Sequence, residues 1–279
     1  MEVTSDWTES VKVEEKNLQE YLCQKQHTVV LQGAAHTLQH TLVSVPTTSA
    51  DDGFLHFGDM LMLRNACTRG LLQVDVGQTA ATEAGYGLST GSVITSCPRT
   101  NFTVCRVDDN DRFGRDHYVH YGQLIRLGTH DALHERPHYV FATSGSGDQG
   151  PEISVRPRAA AGSHWRVERI RAQSGAQNGS ARLEDEPSKV KLGDVARLES
   201  VTGCELQSNT VVIMTSYGNE YKVFGATGQA GGRSNEWSFV DDRWSERVID
   251  AAKNENGLEI TNGGSVHRAD PVAMLKDPL

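Results

Sequence analysis

The sequence predicts an all-β fold, specifically a β-trefoil made of three internal repeats. The first observation is a glycine-centred pattern that occurs three times, in residues 54–63, 118–127 and 189–198. Each copy places apolar residues at alternate positions on both sides of its glycine, which is typical of two strands joined by a tight turn. Repeats of this length also occur in solenoids and propellers, but three copies of short strands favour a closed barrel, because closure leaves no exposed sheet edge.

The second observation is that every copy ends at a matching aromatic residue, at a similar distance beyond its glycine. The residues that define the repeats are Gly58, Asp59, Leu63 and Phe102 in the first, Gly122, Leu127 and Trp165 in the second, and Gly193, Asp194, Leu198 and Trp237 in the third. A third landmark, a threonine followed four residues later by a leucine, lies at 68–72, 129–133 and 202–206. Glycine suits a turn position that needs positive φ, and aspartate can brace such a turn.

The repeats divide the chain into three parts. They occupy residues 51–242, which leaves a helical N-terminal arm with its linker, 1–50, and a C-terminal arm, 243–279. Apolar residues of the N-terminal arm, including Trp7, fall near one helical face, and a second helical spacing precedes Pro46. Helices this short are marginal alone, so we expect them to lie on the trefoil or to hold a partner. The C-terminal arm has a short helical pattern from Trp244 and is otherwise expected to be extended.

The composition argues against nucleic-acid and membrane partners. The 279 residues carry a net charge of −9, whereas nucleic-acid binding requires a basic surface. No stretch approaches the roughly 18 consecutive apolar residues of a membrane-spanning helix, and the N-terminus has no basic-then-apolar signal region. We therefore expect a soluble protein that is not secreted.

Two patterns with chemical potential are discounted. Residues 145–150 match a dinucleotide-binding fingerprint, but Pro151 and a strand-like segment follow where the phosphate-binding helix would begin. His130, His134 and His138 would share one face of a helix, but the repeat pattern makes this segment strand and turn. No nucleophile motif is present either. We expect no enzyme activity, no cofactor and no metal.

The candidate partner contacts lie in three places. Between residues 156 and 171 there are five arginines and one acid, and this strip is either a solvated strand face or a docking patch. The tryptophan of the N-terminal arm is a candidate anchor, because tryptophan is enriched in interface hot spots. The C-terminal arm is the third place. The candidate contacts are Trp7, Arg156, Arg158, Arg169, Arg171 and Trp244.

The repeat pattern resembles that of the MIR family of β-trefoils. The third repeat carries it as Gly193-Asp194 with Leu198, then Thr202-Gly203 with Leu206 and Ser208, then Asn235-Glu236-Trp237 with Phe239. Two positions depart from the pattern, because Phe102 replaces a tryptophan and Gln123 replaces an aspartate. Neither change is expected to prevent the fold.

The likeness to a known family extends beyond the trefoil. The arm around Trp7, the start of the first repeat at 52–59, the turn at 121–123, the strand at 211–217 and the closure at 235–237 are similar, in this order, to the family of cilia- and flagella-associated protein 161. This resemblance implies a structural, non-enzymatic microtubule inner protein of the ciliary or flagellar axoneme. Its implied partners are α/β-tubulin, at the lumenal wall of the A-tubule of the doublet microtubule, and other inner proteins.

Two other functions remain open from the sequence. One is a carbohydrate-binding β-trefoil, which needs an aromatic platform beside Asp or Asn and usually a Gln-x-Trp closure. The closures here are instead Asn101-Phe102, His164-Trp165 and Glu236-Trp237. The other is a metal- or nucleotide-dependent enzyme, which rests on the two discounted patterns.

Overall fold

The structure is a computed structural model of the 279-residue chain. It describes residues 16, 18, 19, 22, 35–79, 85–92, 95–109, 111, 113, 116–134, 136–143, 150–170, 188–227 and 233–244. Trp7, Arg171 and the tail after Trp244 therefore lie outside the described residues, as does most of the N-terminal arm.

Twelve β-strands lie in the described residues, and each repeat contributes four of them. The first repeat contains β1 (Met60–Asn65), β2 (Leu71–Thr79), β3 (Tyr86–Gly91) and β4 (Phe102–Arg106). The second contains β5 (Leu124–Thr129), β6 (Tyr139–Ala142), β7 (Ile153–Arg156) and β8 (Trp165–Arg169), with a 3-10 helix at Ala161–Ser163. The third contains β9 (Val195–Ser200), β10 (Glu205–Thr215), β11 (Gly218–Ala226) and β12 (Trp237–Val240). Residues 35–40 are helical, and none of the helices in the described part has the length and hydropathy that a membrane crossing requires.

Six of the strands close into a ring. The antiparallel pairs run from β1 to β4, β5, β8, β9 and β12, and β12 pairs again with β1. The remaining strands form the hairpins β2–β3, β6–β7 and β10–β11, and β3 also pairs with β7 and β11. The all-β prediction is confirmed, and a ring with three hairpins gives a β-trefoil-like fold.

The three predicted turn glycines have equivalent geometry. Gly58, Gly122 and Gly193 have φ values of 92°, 80° and 85°, the region that favours glycine. Their backbone N–H groups donate to the carbonyl oxygens of Val104, Val167 and Phe239 at 2.8, 2.7 and 2.8 Å. Each of these acceptors follows the closing aromatic by two residues. The glycine and aromatic landmarks therefore belong to one recurring contact.

The replacement of aspartate by Gln123 leaves the turn intact. Asp59 Oδ2 accepts a hydrogen bond from the backbone N–H of His56 at 2.8 Å. Gln123 Oε1 accepts the equivalent bond from the N–H of His120 at 2.9 Å. An amide oxygen thus serves the turn as a carboxylate does.

One inward residue from each repeat meets at the pseudo-threefold axis. Leu55, Val119 and Val190 have no exposed surface. The N–H of Leu55 donates to Val190, that of Val190 to Val119, and that of Val119 to Leu55, each at 2.9 Å. This cycle of backbone hydrogen bonds ties each repeat to both of the others.

The closing aromatics Phe102, Trp165 and Trp237 are fully buried in the core, together with Leu63, Leu127 and Leu198. Trp165 Nε1 donates to the carbonyl of Val140 at 2.9 Å, and Trp237 Nε1 donates to that of Leu206 at 2.8 Å. Val140 is therefore the counterpart of Leu206, and the predicted counterpart, Leu133, is only partly buried. The alignment at 129–133 was wrong because the turn between β5 and β6 is longer than in the other repeats.

Segments outside the repeats are attached to the trefoil at both of its ends. Thr48 forms a β-bridge with Met60, before the first strand. After the last strand, Arg243 lies 2.8 Å from both Asp51 and Asp241. Hydrogen bonds to Asp241 and Asp51 raise the pKa of Arg243. Residues 48–51 and 241–243 therefore hold each other across the closed ring.

Gly193→Ala is expected to lower the free energy of unfolding by about 1–2 kcal/mol, the cost of a left-handed conformation for a residue with a Cβ. A Cβ at Gly193 would meet no atom within 4 Å, so steric overlap plays no part. The urea midpoint measures the loss. Gly87→Ala is the control, because a Cβ there also meets nothing within 4 Å and φ is not positive. Equal midpoints for both variants would contradict the explanation.

Candidate functional site

A cavity of about 560 Å³ lies beside the turn of the second repeat, between the β4–β5 loop and β8. Its polar lining comes from Asp108, Asp111, Gln123, Arg166 and Glu168, and Phe113 supplies an aromatic ring. The carboxylates and the guanidinium of this lining can hydrogen-bond hydroxyl groups, and the aromatic ring can cover an apolar ring face. The cavity therefore suits a small polar ligand.

Two side chains of the cavity are held by the turn itself. Gln123 is 1% exposed, and its Nε2 donates to Asp111 Oδ2 at 2.5 Å. The other oxygen, Asp111 Oδ1, accepts from the backbone N–H of Phe113 at 3.0 Å. The β4–β5 loop is thereby fixed to the same glutamine that braces the glycine turn.

The aromatic face of the cavity is fixed by a stacked histidine. The rings of Phe113 and His120 lie 5.0 Å apart with an interplanar angle of 14°. His120 is itself held, with Nδ1 2.9 Å from Ser188 Oγ and Nε2 3.0 Å from Asp116 Oδ2. Sequence analysis missed this site, because its residues come from three separate segments and match no motif.

The arginine strip does not lie uniformly on the surface. Arg156 is only 9% exposed, its guanidinium lies over Phe141 at 4.6 Å, and its Nε donates to Ser154 at 3.1 Å. This burial does not fit the predicted direct contact with a partner. Arg158 is exposed, and Arg169 lies over the ring of Tyr121 at 4.3 Å.

Trp244 packs on the trefoil. It contacts the buried cluster of Met62, Leu71 and Val240, and the guanidinium of Arg64 lies 4.6 Å from the centre of its ring. A partner that contacts Trp244, as predicted, would therefore have to share its indole ring with these residues of the protein itself.

The histidines discounted as a helical zinc site are partly brought together by the longer turn of the second repeat. The rings of His134 and His138 lie 3.9 Å apart, and His134 stacks on Tyr86 at 4.4 Å. Within the described residues, no set of three or more His, Cys, Asp or Glu side chains could hold a metal ion. Burial, followed by the charge of His138, lowers the pKa of His134 to about 4.

Lowering the pH from about 7 to about 5 is expected to destabilise the protein through His134. The unfolded imidazole takes up a proton near its ordinary pKa of 6.5, whereas the folded one does so only near a pKa of about 4. Between these values the unfolded state binds more protons, so the stabilising contribution, fully present above pH 6.5, is lost as the pH falls. His134→Phe should reduce the pH dependence of the urea midpoint, and Tyr86→Phe should leave it unchanged. An unaltered slope in His134→Phe would contradict this assignment.

A buried ionic network, also missed by sequence analysis, joins the segment before the first repeat to the hairpin β10–β11. Arg99 is fully buried and donates to both carboxylate oxygens of Glu220, at 2.9 and 3.1 Å. Ser89 Oγ donates to Glu220 at 2.5 Å. The guanidinium lies over Tyr217 at 3.5 Å, and the Tyr217 hydroxyl is 2.7 Å from Thr41 Oγ1. The network is structural, because its charges are satisfied within the protein.

The glycine-rich segment is followed by a strand. Residues 144–149 lie outside the described residues, and β7 begins at Ile153, with no helix between Gly150 and that strand. A phosphate site of the fingerprint type requires a helix N-terminus at this point.

The ring, its three hairpins and the recurring glycine–aromatic contact define a protein with a MIR/β-trefoil-like fold. Neither a family model nor a curated protein matches the sequence. Among solved structures, the SDF2-like protein from Arabidopsis thaliana is similar, with a TM-score of 0.50, 13% identity, and coverage of 67% of this chain and 94% of that chain. A Caenorhabditis elegans protein of unknown function gives a TM-score of 0.52 at 13% identity, covering 70% and 99% of the two chains.

A third similar structure is the S. cerevisiae protein O-mannosyltransferase Pmt1-Pmt2 complex bound to the sugar donor. The TM-score is 0.51 at 16% identity, and the match covers 82% of this chain but 33% of that chain. At these identities the likeness concerns the fold alone. The MIR-like fold predicted from the repeats is supported at this level.

Proposed function

We propose that this protein is a structural, non-enzymatic microtubule inner protein, bound to the lumenal wall of the A-tubule in ciliary or flagellar doublet microtubules. Its partners there are α/β-tubulin and other inner proteins. The observation that carries the proposal is the ordered sequence resemblance from Trp7 to about Val240. Three of its segments, at 52–59, 121–123 and 235–237, are the turns and closure on which the trefoil is built.

The architecture suits a structural protein that binds at a fixed position on a larger assembly. The ring is closed, and residues 48–51 and 241–243 contact each other across it, so a preformed surface of this body would lose little conformational entropy on binding. Regular attachment along a polymer adds avidity to individually weak contacts. The net charge of −9 is compatible with the lumen, since the acidic tails of tubulin lie outside the tube.

The hairpin β10–β11 offers an exposed apolar surface for such contacts. Val211, Val212 and Met214 are 53%, 57% and 71% exposed. Neighbouring apolar side chains left in water are typical of protein–protein contact sites. The segment 211–217 is also one of the segments that carry the family resemblance.

Expression of the tagged protein in ciliated cells tests the proposal. We expect the tag in axonemes, retention after a high-salt wash, and density on the inner wall of the A-tubule in cryo-EM maps of doublets. Val212→Thr/Met214→Thr should reduce retention, and Gly87→Ala should not. A tag that stays diffuse in the cytoplasm of ciliated cells would overturn the proposal.

A second candidate function, carbohydrate binding, is favoured by the cavity beside Gln123. An aromatic ring, Phe113, lies there among carboxylates and a guanidinium, a combination that can recognise a sugar ring. The similar mannosyltransferase structure contains a sugar donor, which is a property of that protein. Micromolar binding on a glycan array, abolished by Phe113→Ala, would establish this function, and an empty array would exclude it for the glycans displayed.

A further inference from the structure

The pseudo-threefold axis leaves the barrel through a small surface formed by equivalent residues of the three repeats. Isolated β-bridges join Phe54 to Lys191, His56 to Tyr118 and His120 to Lys189. Each repeat thus contributes two residues that flank its buried axial residue. These pairs are Phe54 and His56, Tyr118 and His120, and Lys189 and Lys191.

The fold buries the central residue of each triplet, whereas the flanking residues differ in type between the repeats. The central residues are the buried Leu55, Val119 and Val190, whose backbones form the axial cycle of hydrogen bonds. The first two repeats place an aromatic residue before and a histidine after the central position. The third repeat uses lysine at both, so packing alone does not explain Lys189 and Lys191.

The charge of this surface is also different in the third repeat. His56 lies 3.2 Å from Asp52, and His120 lies 3.0 Å from Asp116, each carboxylate coming four residues earlier in the chain. The residue four positions before Lys191 is proline. Among the described residues, neither Lys189 nor Lys191 forms an ion pair with a carboxylate. The carboxylate of Asp52, on the same surface, already accepts the N–H of Phe54 at 3.0 Å.

Aromatic rings hold the two lysines in place. Lys189 Nζ lies 3.3 Å from the ring centre of Tyr118 and 5.7 Å from that of Phe54, and Lys191 Nζ lies 5.9 Å from Phe54. Phe54 and Tyr118 contact each other edge to face at 5.9 Å. A cation over a ring face keeps its N–H donors for another acceptor, and the ordered stem reduces the entropy lost on binding.

We propose that Lys189 and Lys191, on the platform of Phe54 and Tyr118, form a docking surface for an extended acidic segment of a partner protein. Residues two apart on an extended chain lie about 6.6 Å apart and point to the same side. A partner strand with carboxylates at alternate positions has the same spacing, so both ammonium groups engage it. Each contact is a charge-assisted hydrogen bond.

The net charge of −9 limits the kind of anion that fits. A long polyanion such as nucleic acid is repelled by the whole-molecule field, whereas a short acidic segment contacts only the two lysines. The contact is therefore local and weakens with added salt. The inference does not depend on the proposed function, because it concerns the purified chain and a peptide.

The test is fluorescence anisotropy with a labelled peptide of alternating Glu and Ser, and with its Gln-Ser counterpart. The full chain should bind the acidic peptide at low salt and not the neutral one. Lys189→Tyr/Lys191→His gives the third repeat the flanking residues of the second, and it should weaken binding about tenfold or more, the loss expected for one charge-assisted hydrogen bond.

Arg158→Gln/Lys222→Gln is the charge-matched control, since both residues are exposed and neither belongs to this surface. It should bind like the wild type. If Lys189→Tyr/Lys191→His does not fold, Lys189→Gln/Lys191→Gln replaces it. If Lys189→Tyr/Lys191→His, or its Gln replacement, binds the acidic peptide with the same affinity as the control variant, the proposal is overturned. Displacement of the peptide by equimolar inorganic phosphate, or tighter binding of heparin, would also overturn it.

Discussion

Glu220→Gln is expected to lower the free energy of unfolding by about 3–5 kcal/mol, measured from urea or guanidinium denaturation curves. The substitution leaves the fully buried guanidinium of Arg99 without its carboxylate partner. An uncompensated charge in a low-dielectric interior costs much more than the pair contributes when it is intact. The loss should therefore be large although Glu220 lies on a hairpin and not in the central ring.

The double variant Arg99→Met/Glu220→Leu separates charge burial from packing. It removes both charges together, so it should be less destabilised than Glu220→Gln alone. Retention of the wild-type denaturation midpoint by Glu220→Gln would show that the ion pair is hydrated or dispensable. The circular dichroism spectrum of both variants should remain that of a β-protein.

Trp237→Ala is expected to lower the free energy of unfolding by about 3–5 kcal/mol. The side chain has no exposed surface, and its Nε1 donates to the carbonyl of Leu206 at 2.8 Å. Truncation therefore creates a core cavity and leaves a buried carbonyl without its donor. Chemical denaturation with tryptophan fluorescence from the remaining indoles measures the loss.

The first repeat supplies the control for this prediction. Phe102 occupies the same position without an N–H group and is equally buried. Trp237→Phe should therefore lose much less than Trp237→Ala, about 1–3 kcal/mol for the unpaired carbonyl. If phenylalanine and alanine destabilise the third repeat equally, the equivalence of the three closing positions is wrong.

The repeated elements of the fold were predictable because their signals are local. The glycines at 58, 122 and 193 lie between residues of period two, and each keeps positive φ in the structure. The closing aromatics were predictable for the same reason. In contrast, the alignment of Leu133 with Leu206 failed, because a longer turn moves the equivalent residue to Val140. The apolar pattern alone did not show that the turn between β5 and β6 is longer than its counterparts in the other two repeats.

The contacts of the candidate sites were beyond sequence reasoning because they join distant segments. Arg99 and Glu220 come from the first and third repeats, and the pairing of β3 with β11 brings their surroundings together. The cavity beside Gln123 likewise depends on a loop and a strand that are far apart in the chain. The burial of Arg156 follows from Phe141, on the neighbouring strand. Charge runs predict the composition of a surface, not which side chains turn inward.

The ring of hydrogen bonds among Leu55, Val119 and Val190 makes the three lobes mutually dependent. The central residue of each lobe, that is, of each repeat, donates its backbone N–H to one neighbouring repeat and accepts a hydrogen bond at its carbonyl oxygen from the other. Removal of any single lobe would leave one backbone N–H and one carbonyl oxygen of the other two without hydrogen-bond partners in the apolar core. Unfolding should accordingly be all-or-none across the barrel, and proteolytic fragments holding one or two lobes should not persist as folded bodies.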